Sequence, residues 1–532
     1  MKYPAVKKIF LATGVILFSF CSYSQNTFQK TYGGPQNDFA YTVRQLPDSG
    51  FILAGNTSSF GAGSGDVFII RTNQYGDMLW TRTYGGTASD FAYFIEHTSD
   101  NGFIITGSTA SFGSGVLDVL LIKTDPNGDT LWTRAYGGID DDAGYVVHEV
   151  AGGGFIVAGT TETFSSGFSD IYLLKTDANG NLLWTKSFGG SASDAAYALE
   201  INSDGNYVIA GSTMSFGAGN FDALLMETDT AGNIIWAKTF GSIGTDEAYT
   251  VLQTPDKGYL VGGTTFFGAG NYDDYLIKTD SAGNYLWSKT YGGTANREYI
   301  NNIRPDAWGN FILAGTTSSF GSGGDNVHLL CVDASGILLW SKDFGGTLYD
   351  MGLGVETTFD HGIVICGRTE SYGSGNFDAY FIKTDSAGNS GCHDSTDATI
   401  TTSPSTLVSI PVFTFLPGGV SSDAAVTQGS GGNVTTLCQL ITNENELHTA
   451  NNSAHVIIYP DPFSATAVIS VSNLQSRECS FFLYDVTGRT VMQLTIQNPE
   501  TEIYRDDLKN GMYFYTIKNQ NSVIVRGKLM IE

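Results

Sequence analysis

The sequence predicts an all-β protein, a seven-bladed β-propeller with four-stranded blades followed by a small C-terminal β-sandwich. A unit of about 52 residues recurs along most of the chain, and each copy contains four short strand patterns separated by turn residues. The 66 glycines and an aromatic content of 13% suit a protein with many tight turns. One tryptophan marks six of the copies, and these are Trp80, Trp132, Trp184, Trp236, Trp287 and Trp340.

The chain divides into four predicted segments. Residues 1–24 are predicted to be a signal peptide, because lysines precede an apolar run at 9–20 that is short for a membrane span. Residues 25–392 form the propeller. Residues 393–451 are rich in Ser, Thr, Asn and Gly, which predicts a partly ordered linker with a strand or two at 407–415. Residues 452–532 form the separate β-sandwich.

The phase of the repeat predicts how the ring closes. The chain begins with a fourth-strand pattern at 28–34, whereas the seventh copy ends without one. Cys392 stands where the next tryptophan is expected. We therefore expect the N-terminal strand to complete the last blade beside residues 378–384, which removes an open sheet edge.

Charge and cysteine content limit the partners and the compartment. A net charge of -26 disfavours nucleic acid and anionic lipid, since both attract basic surfaces. No segment after the predicted signal peptide has the length of a transmembrane helix. An exported chain can form disulfides. Cys392 and Cys438 are the expected pair, because both flank the segment that lies outside the repeat.

Two sets of aspartates recur at the predicted top face, where strand four connects to strand one and strand two to strand three. Concentric carboxylate rings are a candidate Ca²⁺ site, because Ca²⁺ prefers several oxygen ligands. The alternative is structural, since Asp caps turns through nearby backbone groups. Recurrence in nearly every copy favours the structural role. The inner set is Asp38, Asp90, Asp142, Asp194, Asp246 and Asp350, and the outer set is Asp66, Asp118, Asp170, Asp222, Asp273 and Asp378.

Departures from the repeat are the predicted ligand-binding residues. They are Asp140, Asp141 and Asp142 in the third copy, and Arg297, Glu298 and Trp308 in the sixth. Trp308 is the one tryptophan outside the repeated position. If exposed, it would stack on a sugar, and if buried, it would fill the core of its blade.

Candidate catalytic groups are weakly indicated. The seven histidines share no repeat position and no zinc-ligand spacing. The chain also lacks the G-x-S-x-G motif of α/β-hydrolases. These observations favour a binding or display protein whose ligand is a glycan, a protein or a divalent cation. The alternative is an extracellular polysaccharide hydrolase or lyase on a propeller scaffold.

Two resemblances add to this interpretation. The turn with Asp177, Gly180 and Trp184 resembles the tryptophan-docking turn of pyrroloquinoline-quinone dehydrogenase propellers and, more distantly, the Asp-box of sialidases. In both families the motif holds blades together. The resemblance therefore implies a structural role for the repeated tryptophans and carries over no catalytic residues.

The end of the chain resembles the type A sorting domain of the type IX secretion system of Bacteroidota, over about 80 residues. The resemblance implies that the type IX machinery is a partner, and that the protein is secreted and attached at the outer-membrane surface. The residues that carry it are Tyr459, Pro460, Pro462, Phe463, Asp485, Gly488, Arg489, Gly511, Tyr513 and Lys528.

Overall fold

The structure is a computed structural model. It describes residues 25–531 apart from 267–270, 295–296, 412–413, 417–419, 424–426, 442–454, 460–464, 473–478, 486–488, 497–499, 506–507 and 520–521. The chain forms two compact units, Met1–Ile441 and Thr442–Glu532. The described residues form strands and turns and contain no helix. The predicted signal peptide lies outside them.

The repeats form 28 strands of seven or eight residues, which are short because a turn with Gly, Asp or Asn ends each one. They are β1 (Asn26–Gly33), β2 (Asp38–Gln45), β3 (Phe51–Thr57), β4 (Asp66–Thr72), β5 (Met78–Gly85), β6 (Asp90–His97), β7 (Phe103–Thr109), β8 (Asp118–Thr124), β9 (Thr130–Gly137), β10 (Asp142–Glu149), β11 (Phe155–Thr161), β12 (Asp170–Thr176), β13 (Leu182–Gly189), β14 (Asp194–Ile201), β15 (Tyr207–Thr213), β16 (Asp222–Thr228), β17 (Ile234–Gly241), β18 (Asp246–Gln253), β19 (Tyr259–Thr265), β20 (Asp273–Thr279), β21 (Tyr285–Gly292), β22 (Glu298–Pro305), β23 (Phe311–Thr317), β24 (Asn326–Val332), β25 (Leu338–Phe344), β26 (Asp350–Thr357), β27 (Ile363–Thr369) and β28 (Asp378–Thr384).

Consecutive strands pair antiparallel, so that β2 to β5 form the first sheet and each later repeat forms the next. The last sheet is β26-β27-β28-β1, in which Phe28 lies opposite Lys383. The N-terminal strand therefore occupies the position that the repeat phase predicted. The first strands of neighbouring sheets contact one another, including β26 with β2. The arrangement is an all-β, propeller-like set of repeats.

A fifth strand is added to every one of these sheets. Residues 393–441, here called the belt, supply β29 (Asp394–Ser395), β30 (Ile400–Thr402), β31 (Leu407–Ser409), β32 (Thr414–Leu416), β33 (Val420–Asp423), β34 (Thr427–Gly429) and β35 (Asn433–Ile441). They pair in that order with β25, β21, β17, β13, β9, β5 and β1.

The belt adds a fifth strand to the four that were predicted for each sheet, and it lies within the segment predicted to be a partly ordered linker. Its strands are two to four residues long except for β35, which has nine. Such short strands bind through backbone hydrogen bonds at an outer edge, so they need no alternating apolar pattern. The sequence of the belt therefore resembles that of a linker.

Cys392 and Cys438 form a disulfide across 46 residues of sequence. Cys392 follows the last sheet, and Cys438 lies on β35, which pairs with β1 of the same sheet. Gln29 of β1 donates from Nε2 to the carbonyl oxygen of Cys392 at 2.5 Å. The belt thus begins beside this sheet, pairs with the six other sheets in turn and ends on the sheet where it began. The disulfide links the two ends of this path covalently.

Neighbouring sheets pack through apolar side chains and through the repeated tryptophans. Trp80 lies against Gly128 of the next repeat, where an added Cβ would stand 2.9 Å from the indole. The φ of Gly128 is 79°, a conformation that favours glycine. Tyr84 donates a hydrogen bond of 2.5 Å to the same glycine carbonyl. The indole and the phenol therefore hold one sheet against the turn of the next.

The second unit contains two antiparallel sheets, with orders β36-β37-β40 and β39-β38-β41-β42. Apolar residues of both sheets, such as Ile469 and Phe481, share one buried cluster. Its strands are β36 (His455–Tyr459), β37 (Thr466–Ser472), β38 (Cys479–Tyr484), β39 (Thr490–Ile496), β40 (Glu500–Tyr504), β41 (Gly511–Asn519) and β42 (Ser522–Ile531).

Candidate functional site

A central cavity of about 240 Å³ is lined by the first strands of all seven sheets, each of which contributes a residue at one recurring position. Five of these residues are tyrosines, and consecutive tyrosine ring centroids lie 5.1 to 5.7 Å apart. Burial raises the pKa of each phenol, so the ring stays uncharged at neutral pH. The seven residues are Tyr41, Tyr93, Tyr145, Tyr197, Tyr249, Asn301 and Leu353.

A β-bulge turns a second layer of side chains inward, and four members of this layer, Arg44, His148, Glu200 and Arg304, line the cavity. In each first strand the pairing register shifts at the tyrosine position, for example between Ala40 and Thr42. The extra residue reverses the alternation of side chains, so the residue three positions after the tyrosine also faces inward. In the order of the chain, the residues of the second layer are Arg44, Glu96, His148, Glu200, Leu252, Arg304 and Glu356.

Most charges of the second layer neutralise one another. Glu356 lies 3.6 Å from Arg44 and 3.3 Å from Arg304. His148 contacts Glu96 through Nδ1 and the carbonyl oxygen of Leu199 through Nε2, at 2.8 Å for the latter. The hydrogen bond from His148 lowers the pKa of Glu96 against its burial, and Glu96 raises that of His148. Both shifts favour the charged forms of the two side chains.

Glu200 differs from the other acids of the layer, because no described residue bonds it. One neighbour, His148, already contacts Glu96, and the other neighbour is Leu252. Burial raises the pKa of Glu200, although the fields of His148, Arg304 and Arg44 oppose this. The cavity therefore holds one carboxylate whose charge the protein does not pair directly.

Sequence analysis did not single out this second layer. The signal that would have found it is the position three residues after the repeated tyrosine, where the residue type changes from copy to copy. Alternation in a regular strand places that position on the opposite side from the tyrosine. The bulge reverses this, and the repeat pattern alone does not reveal it.

The inner aspartates are engaged in the scaffold. Asp38 accepts hydrogen bonds from the backbone N–H of Gly34 and the hydroxyl of Ser59, both at 2.7 Å, and from Thr57. Equivalent bonds from the backbone and from Ser or Thr hydroxyls recur at Asp90, Asp194, Asp246 and Asp350, all at most 1% exposed.

The outer aspartates hold the loop between the second and third strands. Asp118, for example, accepts hydrogen bonds from the backbone N–H groups of Ser114 and Gly115, both at 2.9 Å. Burial raises its pKa. No group of three or more metal-ligating side chains with a suitable arrangement occurs among the described residues. The contacts at both rings are those of the structural interpretation.

The six residues predicted to bind a ligand on the top face lie at separate places in the structure. Glu298 begins β22 and is fully buried, where it accepts a hydrogen bond from Thr317 at 3.0 Å like the inner aspartates. Arg297 is exposed beside it, with its guanidinium carbon 5.9 Å from the ring centroid of Tyr299. Trp308 follows the other end of β22, so it lies on the opposite face.

The three aspartates of the third repeat lie at or just before the start of β10, which belongs to the third sheet before that of β22 in the order of the chain. Asp140 is exposed, whereas Asp142 is buried and accepts from the N–H of Gly138 at 2.9 Å. Asp141 and Asp140 help burial to raise the pKa of nearby Glu162. Asp142 is thus a scaffold residue, and its two neighbours form a local acidic patch.

A groove of about 400 Å³ lies at the turns that follow β22 and β26. Trp308 is 61% exposed and Phe359 is 65% exposed, so the indole does not fill a core. The ring of His361 lies 5.7 Å from that of Trp308, with the planes tilted by 52°. We call these three residues and their surroundings the aromatic groove.

The sorting-motif residues fall in the second unit. Tyr459 ends β36, Gly511 begins β41 and Lys528 lies in β42, whereas Pro460, Pro462, Phe463 and Gly488 lie outside the described residues. Arg489 donates from Nε to Asp485 at 3.0 Å. Tyr513 packs in the shared core and donates to the carbonyl oxygen of Lys509 at 2.9 Å.

The comparisons with known proteins agree with this C-terminal unit. Residues 457–532 match the family described as the secretion system C-terminal sorting domain. Regulatory protein FlaEY of Caulobacter vibrioides is 24% identical over 258 residues, which is 43% of this chain and 26% of that protein. An uncharacterised WD repeat-containing protein of Acanthamoeba polyphaga mimivirus, L264, is 26% identical over 217 residues, covering 38% and 14%.

The chain thus spans about a quarter or less of these relatives. Among solved structures, PorZ, a surface component of the type-IX secretion system of Porphyromonas gingivalis, aligns over 94% of this chain and 60% of its own. The identity is 13% and the TM-score is 0.38, which does not establish a common fold. No helix that could cross a membrane occurs in the described part of the chain.

The match to the sorting-domain family covers the unit in which the motif residues lie. Residues 457–532 are therefore a secretion system C-terminal sorting domain, and this domain indicates that the β-rich repeat protein is secreted and attached at the outer-membrane cell surface.

Proposed function

We propose that this protein is a binding and display module, built on a seven-bladed β-propeller that the N-terminal strand closes and the belt encircles. The central cavity supports this architecture, because all seven first strands contribute a residue to its wall. Two sheets that share a core support a β-sandwich as the sorting domain. Residues 1–24 serve as the signal peptide, and the type IX machinery handles the sorting domain.

The observation that carries the proposal is the pairing of charges inside the central cavity. A glycosidase usually needs two carboxyl groups that face the substrate, one as acid and one as base or nucleophile. Here Glu96 is engaged by His148, and Glu356 is engaged by Arg44 and Arg304. Only Glu200 among these acids lacks such a partner within the described structure. The arrangement stabilises the ring and favours binding over polysaccharide hydrolysis or lysis.

The belt supports the same role. An exposed sheet edge can pair with the edges of other chains and cause aggregation, which a surface protein must avoid. Seven added strands cover part of each outer edge, and a disulfide joins the ends of the segment that supplies them. A rigid scaffold of this kind presents its loops in fixed positions, which suits a ligand-binding surface.

The purified chain without its signal peptide would be screened against a glycan array, against surface proteins of neighbouring cells and by calcium titration. We expect a specific ligand and no release of reducing sugar from polysaccharides. Saccharide release that Glu200→Gln abolishes would instead establish the hydrolase or lyase. Absence of any ligand in all three screens would contradict the binding function.

A further inference from the structure

Two adjacent turns on the same face differ from the turns of the other repeats, because each carries a large exposed apolar residue. Each turn joins the first and second strands of its sheet, in the sixth repeat at 306–310 and in the seventh at 358–362. Trp308 and Phe359 are the large exposed apolar residues of these turns. The corresponding turns of the other repeats carry Pro, Ser, Ala, Asp or Gly at both positions.

Trp308 occupies a position that forms an ion pair in other repeats. The aspartate there binds a Lys or Arg of the third strand, as in Asp100 with Lys123 at 2.8 Å and Asp256 with Lys278 at 3.0 Å. In the sixth repeat the lysine position is Cys331, which is buried. Both members of the pair have therefore been replaced, and the aromatic residue that took the place of the acid is exposed.

The turn that carries Trp308 is held in one conformation. Asp306 accepts hydrogen bonds through Oδ1 from the N–H groups of Trp308 and Asn310, both at 2.8 Å. Its Oδ2 accepts from the side-chain amide of Asn310 at 2.8 Å. The backbone that carries the indole is therefore ordered before a ligand binds, which lowers the entropy cost of binding.

The neighbouring turn is also fixed. The N–H of Phe359 donates to Oε1 of Gln45 at 2.7 Å, and Asp360 binds Lys383 at 2.9 Å. The N–H of His361 donates to the carbonyl oxygen of Thr358 at 2.7 Å, in a backbone conformation with a φ of 63°. The backbone of both turns is therefore held in place, and the three rings line one groove.

The chemistry of the groove selects its ligand. Its wall combines the faces of Trp308 and Phe359 with oxygen and hydroxyl groups, among them Asp306, Thr357 and Ser386. A sugar ring has apolar C–H faces that stack on aromatic rings and hydroxyls that bond to such a rim. A cavity of about 400 Å³ accommodates a short saccharide, and a net charge of -26 disfavours an anionic one.

We propose that the aromatic groove is a binding site for a neutral saccharide, with Trp308 as the stacking platform, Phe359 as the second apolar wall and His361 as a neighbouring polar ring. The proposal rests on the proposed binding function and specifies one site and one ligand class for it. The central cavity is a separate feature on the ring axis and takes no part in this site.

The test uses the full mature chain and a panel of neutral oligosaccharides of glucose, mannose, galactose and N-acetylglucosamine. Isothermal titration calorimetry would measure binding to the native protein, to Trp308→Ala, to Trp308→Phe and to Phe359→Ala. We expect at least one oligosaccharide to bind, with affinity lowered at least 10-fold in Trp308→Ala, several-fold in Phe359→Ala and only slightly in Trp308→Phe.

Leu79→Ala is the matched control, because Leu79 is an apolar residue of β5 that is 57% exposed and does not line the groove. It should bind like the native protein. Saccharide binding that Trp308→Ala leaves unchanged would overturn the groove while the proposed binding function stood. Failure of every neutral oligosaccharide to bind would also overturn the saccharide site. If the wider screen then found a protein or calcium ligand, the proposed binding function would stand although the saccharide site did not.

Discussion

Cys392 and Cys438 are covalently joined although the chain between them contacts six other sheets before it returns. A bond between two residues of one sheet therefore fastens a segment that pairs with all seven sheets. The consequence is that the stability of the outer edges depends on a position far from most of them.

Replacing both cysteines by serine should lower the free energy of unfolding by about 4 kcal/mol, since the bond removes the entropy of a long loop from the unfolded chain. Urea unfolding of the mature chain would measure the change. A reductant should destabilise the native protein by a similar amount and have no further effect on the double variant. Equal midpoints for native and double-variant proteins would contradict this role of the belt.

The belt is also anchored by charge at the sixth sheet. Buried His328 lies 3.2 Å from Asp397 of the belt and 3.1 Å from Asp274 of the fifth sheet. These carboxylates raise the pKa of His328 to about 10, against its burial. A raised pKa stabilises the fold most fully below the ordinary histidine pKa near 6.5, and the contribution is lost as the pH rises through 10.

We therefore expect melting temperature to fall between pH 7 and pH 10.5, and to fall less in His328→Gln. Burial raises the pKa of Asp274 to about 7 and also raises that of Asp343, and both carboxyl groups belong to this cluster, so the comparison with His328→Gln isolates the contribution of the histidine. The same pH dependence in the variant and the native protein would assign the effect to other groups.

Glu200 and Glu96 of the second layer should respond in opposite directions to loss of charge. Burial raises the pKa of Glu200, so its charged form opposes folding, and Glu200→Gln should leave stability unchanged or increase it at pH 7. His148 lowers the pKa of Glu96, so Glu96→Gln should reduce stability at the same pH. Thermal unfolding of both variants tests the contrast, and equal shifts in one direction would contradict it.

The inner aspartates should matter for stability without calcium. Asp194 accepts from the N–H of Gly190 at 2.8 Å and the hydroxyl of Ser215 at 2.7 Å. Asp194→Ala leaves these donors unpaired and should cost about 1–3 kcal/mol. The melting temperature of the native protein should be the same with CaCl₂ and with EDTA, and a calcium-dependent rise lost in Asp194→Ala would instead identify a metal site.

The repeated tryptophans should differ sharply from Trp308. Trp80 is partly buried against Gly128, and Trp80→Ala should destabilise by about 2–3 kcal/mol, below the 3–5 kcal/mol of a fully buried aromatic. Trp308→Ala removes an exposed side chain and should change stability by about 0.5 kcal/mol at most. Chemical denaturation measures both, and a large loss in Trp308→Ala would indicate a packing role.

The repeat pattern alone identified two residues of the sixth copy that depart from it. Trp308 and Glu298 break the pattern, and both were singled out on that ground. Their separation was not foreseen, because eight residues of β22 place them at opposite ends of one strand. Phe359 was overlooked, since a single aromatic residue in a turn has significance only beside Trp308.

The local pattern of turns and strand-forming residues determined the repeat and its length, because antiparallel pairing of consecutive strands depends on nearby sequence. The phase of the repeat determined the position of the N-terminal strand, because the chain begins with a fourth strand and the seventh copy lacks one. The sorting motifs determined the destination of the chain in the same way. Only the tertiary structure decided the course of the belt and the contents of the central cavity. Short edge strands pair through backbone groups that every residue carries, and a bulge redirects side chains without changing the sequence pattern, so neither leaves a signature in residue types.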